Sequence, residues 1–255
     1  MKLFYRHFGS GKPVIIMHGL FGLSDNWVTH AKRLSEHFSV FVPDLRNHGQ
    51  SPHSSVFNYQ AMADDLMEFI DDHDLDHPVI VGHSMGGKVA MEFALEYPLI
   101  PEKLVVIDIS PVKYPERNAH FDILNAMRLV DFDVIHSRND VSELLKPRIP
   151  DESTRLFVMK NLYRKTKDRF AWRLELNAVY DNMDRIFEGV ESEDTFNKST
   201  LFIKGALSNY ILDEHWPLIL KLFPSARLIT IPGAGHWVHS DAPEELYTAL
   251  SDFLT

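Results

Sequence analysis

The sequence contains no cysteine. Disulfides, thiolate metal sites and a cysteine nucleophile are excluded together. It also lacks any apolar run near the roughly 18 residues that a spanning helix needs, and its first residues carry no cleavage signature. The expectation is a cytoplasmic chain without stable membrane insertion. Basic charge is in deficit. There are 26 Lys and Arg against 36 Asp and Glu, a formal net charge of −10. Such a chain repels phosphate backbones, and no basic stripe offsets it, so nucleic acid is not an expected partner. Internal repeats and low-complexity tracts are absent as well.

What is present is apolar and regularly spaced. The chain has 255 residues, 45% of them hydrophobic, enough for one sizeable α/β core. Short runs rich in Val and Ile occur at 13–17, 38–43, 78–82, 104–108, 201–204 and 227–231, each bounded by Gly, Pro or Asp. Helical spacing separates them, at 25–36, 59–72, 84–96 and 243–254. Continuous apolar strands alternating with helices predict a mostly parallel sheet covered on both faces. One stretch breaks the alternation. Residues 112–197 read as helical and charged, with helices expected at 118–130, 152–165 and 176–187. The expected organisation is an α/β core of 1–111 and 198–255, with 112–197 inserted as an all-helical cap over the C-terminal edge of the strands, where open α/β sheets bind ligands.

The strongest motif is Gly82-His83-Ser84-Met85-Gly86-Gly87, which fits G-x-S-x-G with a strand before it and a helix after it. The serine of such an elbow sits in a strained turn, and glycine is needed two positions either side because a side chain would meet backbone. Ser84 is the expected nucleophile. Serine needs a base. Among 14 histidines, His236 in Gly233-Ala234-Gly235-His236-Trp237 lies after the last strand and before the last helix, where that base belongs. His239 could pair with His236 on a metal, but no third ligand is evident. The Asp71-Asp72-His73-Asp74 and Asp76-His77 cluster reads as a solvated helix end. Neither a metal nor an organic cofactor is expected.

The acid departs from the commonest arrangement. The loop after strand 201–204 holds Ser208 where a carboxylate usually stands, and the next acids are Asp213 and Glu214. Asp108, at the end of the strand beside the elbow strand, is the preferred orienter of His236, with Asp213 as the alternative. The turn His18-Gly19-Leu20-Phe21-Gly22 would give one oxyanion amide, from Leu20 or alternatively Phe21, and Met85 the other. Phe21, Trp27 and Trp237 are candidate walls of an acyl pocket.

Together these stretches resemble the YbfF-type esterases of the α/β-hydrolase superfamily. The matching segments are His18 to Gly22 with Asp25-Asn26-Trp27, Asp44-Leu45-Arg46-Asn47-His48-Gly49-Gln50-Ser51-Pro52, Val81 to Lys88, Asp108-Ile109-Ser110-Pro111, and Ala234-Gly235-His236-Trp237-Val238-His239. The resemblance implies hydrolysis of small acyl esters, or of acyl-CoA thioesters, by Ser84, Asp108 and His236, and Ser208 fits the family's own loop. Arg46 is expected to brace its loop, the alternative being an acidic substrate group; Asn47 and Lys88 read as structural. A C–C bond hydrolase, a cofactor-free perhydrolase or a slow-turnover ligand-binding receptor would share the triad.

Overall fold

Strands with period-two side chains buried on both faces need a layer of helices on each side, and this chain builds that arrangement. The computed structural model describes residues 1–115, 118–167 and 169–255. Residues 116, 117 and 168 of the expected 112–197 insertion lie outside the described residues. In chain order the core begins with β1 (Tyr5–Phe8), β2 (Lys12–Met17), α1 (Val28–Leu34) and β3 (Phe38–Pro43). It continues with α2 (Tyr59–Asp72), β4 (Val79–His83), α3 (Met85–Glu96) and β5 (Leu104–Ile107). Between β5 and the next core strand come α4 (Asn118–Arg128), α5 (Arg138–Leu145), α6 (Glu152–Val158), β6 (Leu162–Thr166), β7 (Arg169–Trp172), α7 (Leu176–Asp181) and α8 (Met183–Phe187). The core then resumes with β8 (Thr200–Gly205), α9 (Trp216–Leu222), β9 (Ala226–Ile231), α10 (Val238–Asp241) and α11 (Pro243–Leu254).

Seven strands form one sheet in the order β1-β3-β2-β4-β5-β8-β9. Only β1 runs antiparallel, along β3; the other neighbours pair in parallel. The alternation is visible in the packing. Val14 and Ile16 of β2, Val79 and Val81 of β4, and Val105 and Ile107 of β5 join the layer made with α1 and α11. Their neighbours Ile15, Met17, Ile80, Leu104 and Val106 join the opposite layer with α2 and α3. The fold class expected from the strand and helix spacing is therefore the one observed, with β1 as an additional edge strand. No helix of the described residues is long and apolar enough to cross a membrane.

Two local expectations are corrected. The inserted segment is not all helical, because β6 and β7 form an antiparallel hairpin pairing Leu162 with Trp172 and Tyr163 with Ala171. Charged residues at Arg164 and Lys165 concealed its alternation, so 152–165 read as one helix. The expected helix 176–187 is split at Asn182, whose side-chain amide donates to the Ala178 carbonyl at 2.8 Å. The insertion has an apolar cluster of its own, including Val141, Leu145, Ile149 and Phe170. It also meets the core: the Asn161 side chain, fully buried, donates to the Phe21 carbonyl at 2.7 Å.

The C-terminal ends of β2, β4, β5, β8 and β9 all open on one edge of the sheet. His18, Ser84, Asp108, Ser208 and His236 follow those ends in the loops or at a helix start. This is the edge at which a parallel α/β sheet presents its ligand site.

Candidate active site

Ser84 links β4 directly to α3 with φ 52° and ψ −119°. A non-glycine residue at positive φ is strained by about 1–3 kcal/mol and persists only where its surroundings enforce it. Close packing does so here. A Cβ on Gly82 would lie 2.1 Å from the Gly86 carbonyl oxygen, and one on Gly86 would lie 2.6 Å from the Met17 and His18 oxygens. These approaches explain the two glycines of the motif. Phe21 (φ 63°) and Asp108 (φ 51°) beside it also have positive φ, as do Asn47, Asp74 and His77 in other loops.

The side chains form a connected relay. His236 Nε2 lies 3.0 Å from Ser84 Oγ, and His236 Nδ1 lies 2.8 Å from Asp108 Oδ2. The Asp108 carboxylate is fully buried and accepts only hydrogen bonds. Its Oδ1 takes the Gly205 amide at 3.0 Å, and its Oδ2 also takes the Ser208 hydroxyl. Because Asp108 is acceptor-only when ionised, it fixes the proton of His236 on Nδ1 and leaves Nε2 free to accept from Ser84. Asp213 lies in an exposed turn and lines a different depression with Lys204, Trp216 and Leu228. The ring of Tyr210 stacks on His236 at 3.9 Å between centroids, restricting how the imidazole tilts.

Three further histidines surround this relay and stay neutral. Burial lowers His18 to about 4, His48 to about 3 and His83 to about 3. The Leu45 amide donates to His18 Nε2 at 3.0 Å, so Nδ1 carries the proton and donates to the Gly19 carbonyl at 2.9 Å. That pair fixes the turn in which Gly19 passes beneath Ser84; a Cβ on Gly19 would lie 3.1 Å from the Ser84 Cβ. His83 Nε2 donates to the His236 carbonyl at 2.8 Å and holds the His236 loop.

Two cavities meet at Ser84. One, of about 160 Å³, is walled by Gly19, Leu20, Phe21, His236, Phe157 and Trp237. The other, of about 40 Å³, is walled by Tyr59, Met85, Lys88, Tyr114, Phe187 and Tyr210. Leu20, Ser84 and His120 border both. Phe21 and Trp237 thus line a cavity, whereas the expectation for Trp27 is corrected. Trp27 is fully buried, stacks on His239 at 4.8 Å and belongs to the layer of α1 and α11. Arg46 does not face the cavities. Its Nε bonds Asp65 at 2.6 Å and its other nitrogens hold the Val56 and Ala61 carbonyls, so it braces the loop. Among the described residues no group of His, Asp and Glu has the geometry to hold a metal ion.

Several wall residues escaped sequence reasoning. Tyr59, Tyr114 and Tyr210 come from separate segments, and only the fold brings them together. Lys88 left a usable signal, since it follows Ser84 by four residues and so lies one turn along the same helix.

A strained Ser84 between strand and helix, a histidine after the last strand hydrogen-bonded to it, and a mostly parallel sheet with an insertion are the architecture of an α/β hydrolase. A family model described as alpha/beta hydrolase fold matches residues 12–243, and the chain belongs to that family. Within it the chain is a YbfF-type esterase by descent: Escherichia coli (strain K12) esterase YbfF is 33% identical over 245 residues, covering 96% of this chain and 94% of that one. Mouse sn-1-specific diacylglycerol lipase ABHD11 is 38% identical over 247 residues, covering 94% and 80%. A solved structure titled "Marine microorganism esterase" superposes with a TM-score of 0.96 at 40% identity over 99% of both chains.

Two outcomes are expected. Asp108→Asn lowers kcat on the order of 10⁴-fold by losing the tautomer control, while Asp213→Asn leaves it nearly unchanged; the reverse pattern in steady-state assays contradicts the relay. Stability also depends on the neutral histidines. The unfolded rings bind protons near pH 6.5, but the folded rings resist until about 4 for His18 and about 3 for His48 and His83. Stability therefore falls as pH drops through that window, by up to about 1.4 kcal/mol per pH unit for each ring. Urea midpoints that stay level between about pH 7 and pH 5 contradict this.

Proposed function

We propose that this protein is a serine carboxylesterase that cleaves short acyl esters through an acyl-enzyme on Ser84. The observation that carries the proposal is the unbroken relay from Ser84 Oγ through His236 to the buried Asp108 carboxylate, at 3.0 and 2.8 Å. His236 Nε2 takes the hydroxyl proton as Ser84 Oγ attacks the carbonyl carbon. The tetrahedral oxyanion is held by the Met85 amide and by that of Leu20, with Phe21 as the alternative donor. Met85 is the first residue of α3, so its amide has no partner within the helix, and it sits at the positive end of the helix dipole. Each such donor is worth on the order of 100-fold or more in rate.

The position of His236 supports an assignment of the two halves of the substrate. The leaving oxygen must take its proton from His236, so the alcohol occupies the cavity that His236 walls. The acyl group then enters the smaller cavity beside Met85 and Lys88. At about 40 Å³ that space admits an acyl group of a few heavy atoms. Water activated by His236 releases the acid and restores Ser84. Thioesters fit the same scheme, because a thiolate leaves with less proton help than an alkoxide. The 112–197 insertion supplies Phe157, Tyr114 and Phe187 as walls, which supports reading it as a cap that excludes bulk water.

The wild type is expected to hydrolyse p-nitrophenyl butanoate with kcat/KM on the order of tenfold or more above p-nitrophenyl dodecanoate, and Ser84→Ala is expected to fall to the uncatalysed rate. Turnover by Ser84→Ala equal to wild type overturns the reaction; equal rates on both chain lengths overturn the assignment of the cavities.

A further inference from the structure

We propose that the Lys88 ammonium receives a carboxylate at the far end of the acyl group, so that preferred substrates are half-esters of short dicarboxylic acids. This rests on Ser84 as nucleophile and on the smaller cavity as the acyl site.

Lys88 is 1% exposed. A buried ammonium is costly unless its charge is balanced and its protons are bonded. Two of its three donors are accounted for: Nζ donates to the Val112 carbonyl at 2.7 Å and to the Glu188 carbonyl. Among the described residues no carboxylate forms an ion pair with it. Burial lowers Lys88 to about 7, and Glu92 and Glu188, acting only through their fields, raise it. One donor and one positive charge are thus left without a partner of matching kind, in the wall of the cavity that borders the nucleophile.

The remaining surroundings favour a cation at Nζ. Lys88 Nζ lies 5.7 Å from the Tyr59 ring centroid and 5.2 Å from that of Tyr114, close enough for attraction to the ring faces. Both rings line the same cavity. Ser84 and Lys88 border the same small cavity, four residues apart at the start of α3, so an acyl group held on Ser84 that carries a second carboxylate can present it to Nζ. Such a carboxylate would use the third donor and supply the missing charge at once.

The experiment compares monomethyl succinate with methyl 4-oxopentanoate, a neutral ester of similar shape, by product release. Wild type is expected to favour monomethyl succinate at least tenfold in kcat/KM, and Lys88→Met to lose that preference. Lys88 also joins the two segments that flank the insertion, so a folding failure of Lys88→Met is covered by a wild-type measurement. N-methylsuccinamate is expected to inhibit at least tenfold more tightly than N-methylbutanamide. Equal use of the two esters by wild type, equal inhibition by the two amides, or an undiminished preference in Lys88→Met overturns the anion subsite. Because Ser84→Ala is tested on a neutral ester, an active Ser84→Ala instead overturns the esterase reading, and the two failures remain separable.

Discussion

A carboxylate sealed from water must be surrounded by hydrogen-bond donors, and Asp108 is where this molecule meets that demand. The Gly205 amide and the Ser208 hydroxyl come from the end of β8 and its loop, and the imidazole comes from the loop after β9. The Asp108 amide in turn donates to the Ile203 carbonyl at 2.7 Å. One buried charge therefore joins β5, β8 and the base loop. Removing any donor leaves that charge under-satisfied, at a cost comparable to breaking a buried polar network. The same arrangement sets the tautomer of His236, so the stability of the sheet edge and the readiness of Ser84 share one origin.

Much of this was legible in the chain. The Val and Ile runs predict a sheet buried on both faces, and the two glycines about Ser84 predict the elbow, because both follow from local sterics and period-two packing. His236 follows from its place after the last strand. The acid was harder. Asp108 and Asp213 both stand at plausible loop positions, and only the pairing of β5 between β4 and β8 brings Asp108 to the imidazole. Trp27 misled for a physical reason. An aromatic beside an oxyanion turn can face either way, and here it turns under the sheet edge onto His239. The β6–β7 hairpin was hidden by charges that suit an exposed strand as well as a helix.

The insertion and the core share apolar packing and are also linked by specific hydrogen bonds. Lys88 holds the Val112 and Glu188 carbonyls, which belong to the segments entering and leaving the insertion. Tyr114 and Val190 amides bond Phe187 and Pro111 across the same junction. Asn161 reaches the Phe21 carbonyl in the oxyanion turn. Under the proposed function, substrate selection and the geometry of the 18–22 turn would therefore be coupled through the insertion, while the Ser84–His236–Asp108 relay belongs to the core alone.

The central claim is covalent chemistry at Ser84, and intact-protein mass spectrometry of acid-quenched turnover reads it directly. With a short acyl ester in excess, a fraction of the protein is expected to carry one acyl group in place of a hydrogen, mapped by peptide fragmentation to Ser84 and absent from Ser84→Ala. Rapid turnover with an acyl group mapped to a different residue, or an identical adduct on Ser84→Ala, would contradict it.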